Sequence, residues 1–216
     1  MPNNQVFGQA GGGVIMSKLE VNKKKKKDAL FHTAFELFTT KGLTKTTISD
    51  IADQAGVAKG TFYLYFKDKY DIRNKLVSHK TGELFFHAHE ALSQTELTDF
   101  QEQVHFIVDY ILTELEQNRT LLTFISKNLS WGIFKGAFEE KMPDEDYHFY
   151  QSYLDMLSQN KTSYRNPELL LFTIIELVGS SCYSCILYQQ PISMEEYRPY
   201  LHNAITAIMK TFEEQS

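Results

Sequence analysis

The sequence predicts an all-α chain of about nine helices: a small basic three-helix unit at the N-terminus, then a larger acidic helical domain. Three observations carry this. Apolar residues recur at i, i+3, i+4 and i+7 along most of the chain, and no alternating strand pattern of useful length appears. Two short helical stretches near the N-terminus are closed by Gly42 and Gly56. Charge is also unevenly divided: Lys23 to Lys80 holds 13 Lys/Arg against 6 Asp/Glu, a net of +7, so the remainder carries −12 of a chain whose total is −5. The total alone argues against a polyanion partner, but the division suggests a phosphate-facing end on a body with another task.

With 43% hydrophobic residues in 216, the chain can bury a real core, and 16 Phe and 12 Tyr point to an aromatic interior. The two cysteines, Cys182 and Cys185, sit in an apolar run, cannot make a disulfide framework, and fit a reducing cytoplasm as small buried groups rather than a redox pair. No secretory signal stands at the start. The run Leu169–Tyr188 is long enough to raise a membrane span, but Glu176, Gly179 and several serines interrupt it, so a buried soluble helix is expected and no membrane partner.

Residues 1–22, rich in Gly, Asn and Gln, are expected to be disordered, and Met16 is an alternative start. Residues 23–70 form the small unit and 71–216 the large one. The five lysines Lys23–Lys27 are either a solvated helix start or an electrostatic arm. Phe31, Ala34, Phe35 and Phe38 give the first helix one apolar face, ending at Lys41-Gly42. Thr47 with Asp50 makes a capping box opening a second helix, with Ile48, Ile51, Ala52 and Ala55 along it. A short third helix spans about 58–66, and Asp68 caps a long fourth. Helices follow over Thr98–Asn118, over Leu121–Phe138 (two short or one kinked, because of Gly132 and Gly136), over Asp144–Gln159, over Glu168–Gln189 behind Asn166-Pro167, and after the capping Ser193.

Thr46–Phe66 has the layout of a helix-turn-helix, with Gly56-Val57 as its turn. At about 100° per residue, Phe62 and Phe66 share one face, which leaves Lys59, Gly60 and Tyr63 on another arc. Lys59 supplies charge, Gly60 allows close backbone approach, and Tyr63 and Tyr65 offer hydroxyls to phosphate and ring faces to thymine methyls. Thr46 or Thr47 at the second helix and Lys69 at the fourth lie beside amides that favour anions. Alternatively, either tyrosine packs on the fourth helix and Lys69 is a solvated surface residue.

The stretch from Thr46 through Ile48, Ile51-Ala52, Ala55-Gly56-Val57, Lys59-Gly60-Thr61-Phe62-Tyr63-Leu64-Tyr65-Phe66 to Lys69, with Ala34–Gly42 before it, resembles the N-terminal domain of the tetracycline-repressor (TetR) family. The resemblance covers about 45 residues. It implies about nine helices, a homodimer through the last two, double-stranded operator DNA as partner, and a small-molecule effector in the C-terminal domain that releases a repressor from DNA. It carries over Thr46 or Thr47, Lys59, Gly60, Tyr63, Tyr65 and Lys69 as DNA contacts, with Thr61 the position that varies with operator sequence. Leu64 and Tyr65 stand where other members often place polar or His residues.

The C-terminal half offers weaker signals. Glu168–Gln189 is apolar nearly all round, which predicts burial on more than one side, and Gly179-Ser180-Ser181-Cys182 would allow close helix approach in a two-fold interface or an intrachain core. Glu176 in that helix needs a partner, a ligand, or an exposed face. Trp131, Phe134, Tyr147, Tyr150 and Tyr183 are candidate walls of a largely apolar effector pocket, though any one of them could equally be core. His87 and His89 face different ways and His105 stands alone, so neither a metal nor another cofactor is expected. No nucleophile–base pair or phosphate loop suggests an enzyme. The competing reading is an architectural DNA-binding protein without a ligand.

Overall fold

The computed structural model describes residues 18–128, 131–139 and 149–214. Ten helices run through them: α1 (Lys18–Thr40), α2 (Ile48–Gln54), α3 (Lys59–Tyr65), α4 (Lys69–Ser93), α5 (Phe100–Gln117), α6 (Arg119–Asn128), α7 (Trp131–Glu139), α8 (Phe149–Gln159), α9 (Pro167–Tyr188) and α10 (Met194–Phe212). The tenth arises because the Gly-interrupted stretch 121–138 is divided between α6 and α7. A lone bridge between Tyr164 and Glu213 is the one β feature among the described residues.

The chain divides into two compact units, one ending at Lys67 and one beginning at Asp68. The boundary falls three residues before the expected 70/71, because Asp68 is the N-cap of α4: its carboxylate accepts from the amides of Tyr70 (2.7 Å) and Asp71 (2.8 Å).

In the first unit, α1 buries Leu30, Phe31, Ala34 and Phe38, with Phe35 half-buried. The expectation that residues 1–22 are disordered is corrected at 18–22, which are helical. Lysine and leucine are good helix formers and Glu20 sits in the first turn, which favours helix from Lys18 onward; residues 1–17 lie outside the described residues. The lysine run lies within α1, where Lys27 Nζ is 5.2 Å from the Phe31 ring centroid. Gly42 takes φ +85° and donates its amide to Leu37 O (3.1 Å), closing α1. The capping box forms as expected: Asp50 N donates to Thr47 Oγ1 (3.0 Å) and Thr47 N to Asp50 Oδ2 (2.8 Å). Lys41 Nζ donates to the same carboxylate (2.6 Å), and this bond first, then those from the Thr47 amide and hydroxyl, bring the Asp50 carboxyl from 3.8 down to about 2. Phe66 closes the small core, 5.3 Å from Phe31 and 5.5 Å from Phe62 between ring centroids.

In the second unit α4 packs against α5, α6, α7 and α8, and α9 against α10 and α6. Helix α10 is tied to α5 by polar contacts: Arg198 donates to Asp109 (2.7 Å) and Glu116 (3.2 Å), His202 Nε2 lies 3.0 Å from Asp109, and the His202 and His105 rings stack at 4.4 Å. Helix α9 starts at Pro167 after Asn166 in the left-handed region (φ 49°) and ends at Gln189 (φ 55°). It buries Leu170, Leu171, Ile174, Cys182, Cys185 and Ile186. Its other face, with Leu169, Glu176, Gly179 and Ser180, is exposed in the single chain, whose own helices supply neighbours for one side. By length and composition α9 could cross a membrane. Cys182 and Cys185 are free and buried, and burial pushes the Cys182 thiol up to about 11, well away from thiolate reactivity.

On α4, Glu83 contacts His79 Nε2 (3.3 Å) and Lys80 Nζ (2.7 Å). Burial alone would raise its pKa, but those two partners outweigh it and bring the carboxyl from 4.5 down to about 2. Folding therefore gains stability from ionised Glu83 at all pH above its unfolded value, and loses it as pH falls toward 2. Urea denaturation should show a shallower acid decline in Glu83→Gln than in the parent between about pH 5 and 2; parallel declines would mean that the two contacts do not stabilise the fold.

Candidate nucleic-acid interface and apolar cavity

The turn between α2 and α3 follows from two local features. Gly56 adopts φ +68°, which a side chain would resist, and the Val57 amide returns to Ala52 O at 3.0 Å. Helix α3 then starts at Lys59, and its pitch separates two faces. Phe62 is fully buried, while its neighbour Tyr63 is 53% exposed and Leu64 80%. Lys59 and Gly60 are exposed, and Thr61 and Tyr65 are half-buried. No atom lies within 4 Å of where a Cβ on Gly60 would stand, so the fold itself does not require glycine there.

Of the two threonines before α2, the structure separates the roles. Thr46 is fully buried, and its hydroxyl donates to Gly42 O (2.9 Å) and, more weakly, Leu37 O (3.4 Å), so the expectation that it faces DNA is corrected. Thr47 is the exposed N-cap. Lys69 is the first residue of α4 and belongs to the second unit.

That second unit contains a partly open apolar cavity of about 160 Å³. Leu84 and Phe85 of α4, Val104 and Val108 of α5, Ile125 of α6, Phe134 of α7, Phe149 and Tyr153 of α8, and Ile174 and Val178 of α9 are among its walls. Phe85 anchors an aromatic cluster, with centroids 5.5 Å from Phe134 and 4.1 Å from Phe149. The polar wall groups are few. Tyr153 donates its hydroxyl to Pro167 O (2.8 Å), and burial holds its phenol well above the ordinary pKa. Ser126 donates to Leu122 O (2.7 Å). Thr81, also on the wall, has no hydrogen-bond partner.

Among the residues expected to form a pocket, Phe134 lines this cavity. Trp131 packs behind it, 5.5 Å from Phe134 and 4.9 Å from Phe172, and Tyr150 stacks at 6.1 Å on Tyr153 rather than reaching the wall. Glu176 and Tyr183 instead border an adjoining groove of about 290 Å³ with Lys127 and Ser180, which shares Ser126, Ile175 and Gly179 with the cavity, and the carboxylate in the apolar helix lies on the exposed face. Tyr147 lies outside the described residues. The aliphatic walls from α5 and α9 and the hydroxyl of Thr81 were not anticipated; at the sequence level only the strong apolar periodicity of α5 hinted at the former.

Residues 30–76 match the family model for bacterial regulatory proteins of the tetR family. An HTH-type transcriptional regulator of Staphylococcus aureus strain bovine RF122 is 26% identical over 171 residues, covering 79% of this chain and 86% of that protein. The fold is shared with the fatty acid degradation regulator FadR of Bacillus halodurans (17% identity, TM-score 0.58) and with FadR of Bacillus subtilis, solved in complex with stearoyl-CoA (19% identity, TM-score 0.57). Each alignment spans 82% of this chain and 96% of the other.

The two faces of α3 predict opposite responses to substitution. Phe62→Ala should cost about 3–5 kcal/mol of folding stability, as for a fully buried aromatic. Gly60→Ala should leave the thermal midpoint unchanged or raise it, since alanine favours helix and meets open space. A destabilised Gly60→Ala protein would show that the fold, not a partner, requires this glycine.

Proposed function

We propose that this chain, whose residues 30–76 match the family model for bacterial regulatory proteins of the tetR family, is a cytoplasmic, homodimeric repressor of that family that leaves its operator when a small, largely apolar molecule enters the cavity of the second unit. The observation that carries the DNA half is the exposed face of α3. Lys59, Gly60 and Tyr63 stand clear of the core around a glycine that folding does not need. In this reading α3 enters the major groove. Tyr63 and Tyr65 give hydroxyls to phosphates, Thr61 meets base edges, exposed Leu64 meets thymine methyls, and Thr47, Lys59 and Lys69 fix the register on the backbone.

A homodimer would set two α3 helices roughly 34–36 Å apart, one turn of DNA. The exposed face of α9 supports this interface, as do the apolar side chains of Leu169, Tyr188 and Tyr200 left open on α9 and α10. A ligand lowers operator affinity only by as much as it binds the released state better than the DNA-bound one. The cavity supports an uncharged, apolar effector. FadR of Bacillus subtilis, in complex with stearoyl-CoA, offers a precedent for ligand binding in a chain of this fold.

Fluorescence anisotropy on the region upstream of the protein's own gene, against a scrambled duplex, tests the reading. Tight binding should favour the native sequence and fall with salt. Lys59→Ala should weaken binding to both duplexes and lower the salt slope by about one. Tyr63→Ala and Gly60→Ala should weaken specific binding. Equal affinity for both duplexes would favour a non-specific architectural role instead.

A further inference from the structure

Thr81 is a polar residue in a place where folding gives it nothing to do. Its side chain is 3% exposed, stands on the wall of the apolar cavity, and has no hydrogen-bond partner. An unmet hydroxyl in such a site destabilises the empty protein; Ser78 Oγ, one turn earlier on α4, is also unpartnered but does not line the cavity, so Thr81 is the one of the two that a molecule in the space could reach. The other hydroxyls on the wall are committed. The Ser126 and Tyr153 hydrogens are donated to backbone carbonyls, and Tyr153 stays neutral. That leaves Thr81 as the free donor among the described wall residues.

We infer that the effector is a neutral, compact, apolar molecule carrying one hydrogen-bond acceptor, such as the carbonyl of a ketone, ester or amide, and that Thr81 Oγ1 donates to it. This rests on the cavity's being the effector site. Three features select the class. No Asp, Glu, Lys, Arg or His lines the cavity itself among the described residues, and Lys127 and Glu176 stand in the groove that adjoins it, so a carboxylate or amine seated within the cavity would be buried without a counter-charge. At about 160 Å³ the space is close to the roughly 150 Å³ apolar cavity that accepts benzene, so the buried part is of single-ring size. The one unpaired wall hydroxyl then supplies the discrimination: a site built to bond a polar atom rejects an analogue that lacks it.

The test uses probes of one shape: ethylbenzene, acetophenone and benzoate, titrated calorimetrically into the full chain, its Thr81→Val variant and its Thr81→Ser variant. Valine keeps the shape and removes an unpaired hydroxyl, so the variant should fold at least as well as the parent. Thr81→Val should weaken acetophenone by about three- to tenfold, the worth of one neutral hydrogen bond, and leave ethylbenzene unweakened. Thr81→Ser should restore much of the ketone affinity, and benzoate should bind more weakly than either. Acetophenone affinity unchanged in Thr81→Val, or benzoate as tight as acetophenone, would overturn the inference while leaving the cavity as a site. Failure of acetophenone and ethylbenzene alike to bind the folded parent would overturn the cavity reading beneath it.

Discussion

Helix α4 runs for 25 residues and buries Ile72, Leu76, Val77, Ser78, Thr81, Leu84, Ala88 and Leu92 along it. A rigid helix of that length cannot satisfy so long a buried stripe by folding on itself, so α5, α6, α7 and α8 are recruited to it in turn. Their aliphatic and aromatic side chains meet α4 imperfectly around Thr81, Leu84 and Phe85, and the space left is the cavity. The same helix is joined to α3 by Phe66, Lys67 and its cap Asp68 alone. In the proposed reading, an effector that presses on the α4 wall acts on the helix that follows α3 directly in the chain. That continuity gives the proposed release a physical carrier without a dedicated pathway.

The N-terminal unit obeys a simpler rule. Seven residues of α3 must hold one aromatic side chain inside and another outside, and the helical pitch between Phe62 and Tyr63 does this in one step. Everything around them fixes the helix in place: the glycine turn at Gly56, the capping box of Thr47 and Asp50, and the ring contacts of Phe31 and Phe66. The face left open carries one cation at Lys59, no side chain at Gly60, and two large side chains at Tyr63 and Leu64.

Local chemistry made much of this legible in the sequence. Caps at Thr47, Asp68 and Ser193, the start at Asn166-Pro167 and the turn at Gly56 depend on neighbours within four residues, and each stands where the sequence pattern puts it. Long-range packing was less readable. Thr46 and Thr47 differ by one position, yet one is sealed inside and the other open, because the capping register decides between them. In α9 the apolar character is so uniform that periodicity could not say which face is covered. Aromatic residues drew attention as pocket walls, but the cavity is mostly lined by aliphatic groups whose convergence depends on six helices at once. Thr81 carried no signal at all, since an isolated threonine in a helix is unremarkable until its surroundings prove to be apolar.

The central claim is that filling the cavity weakens DNA binding, and it can be tested before any effector is known. Val104 lies half-buried on the cavity wall, so Val104→Phe places apolar bulk where a ligand would sit. Operator affinity of this variant should be measured beside the parent, with thermal unfolding and ethylbenzene titration as checks that it folds and that the space is occupied. The expected result is a folded protein that no longer takes up the probe and binds the operator more weakly. A folded, cavity-filled protein with parental operator affinity would contradict it, because the cavity would then be a packing defect with no bearing on DNA.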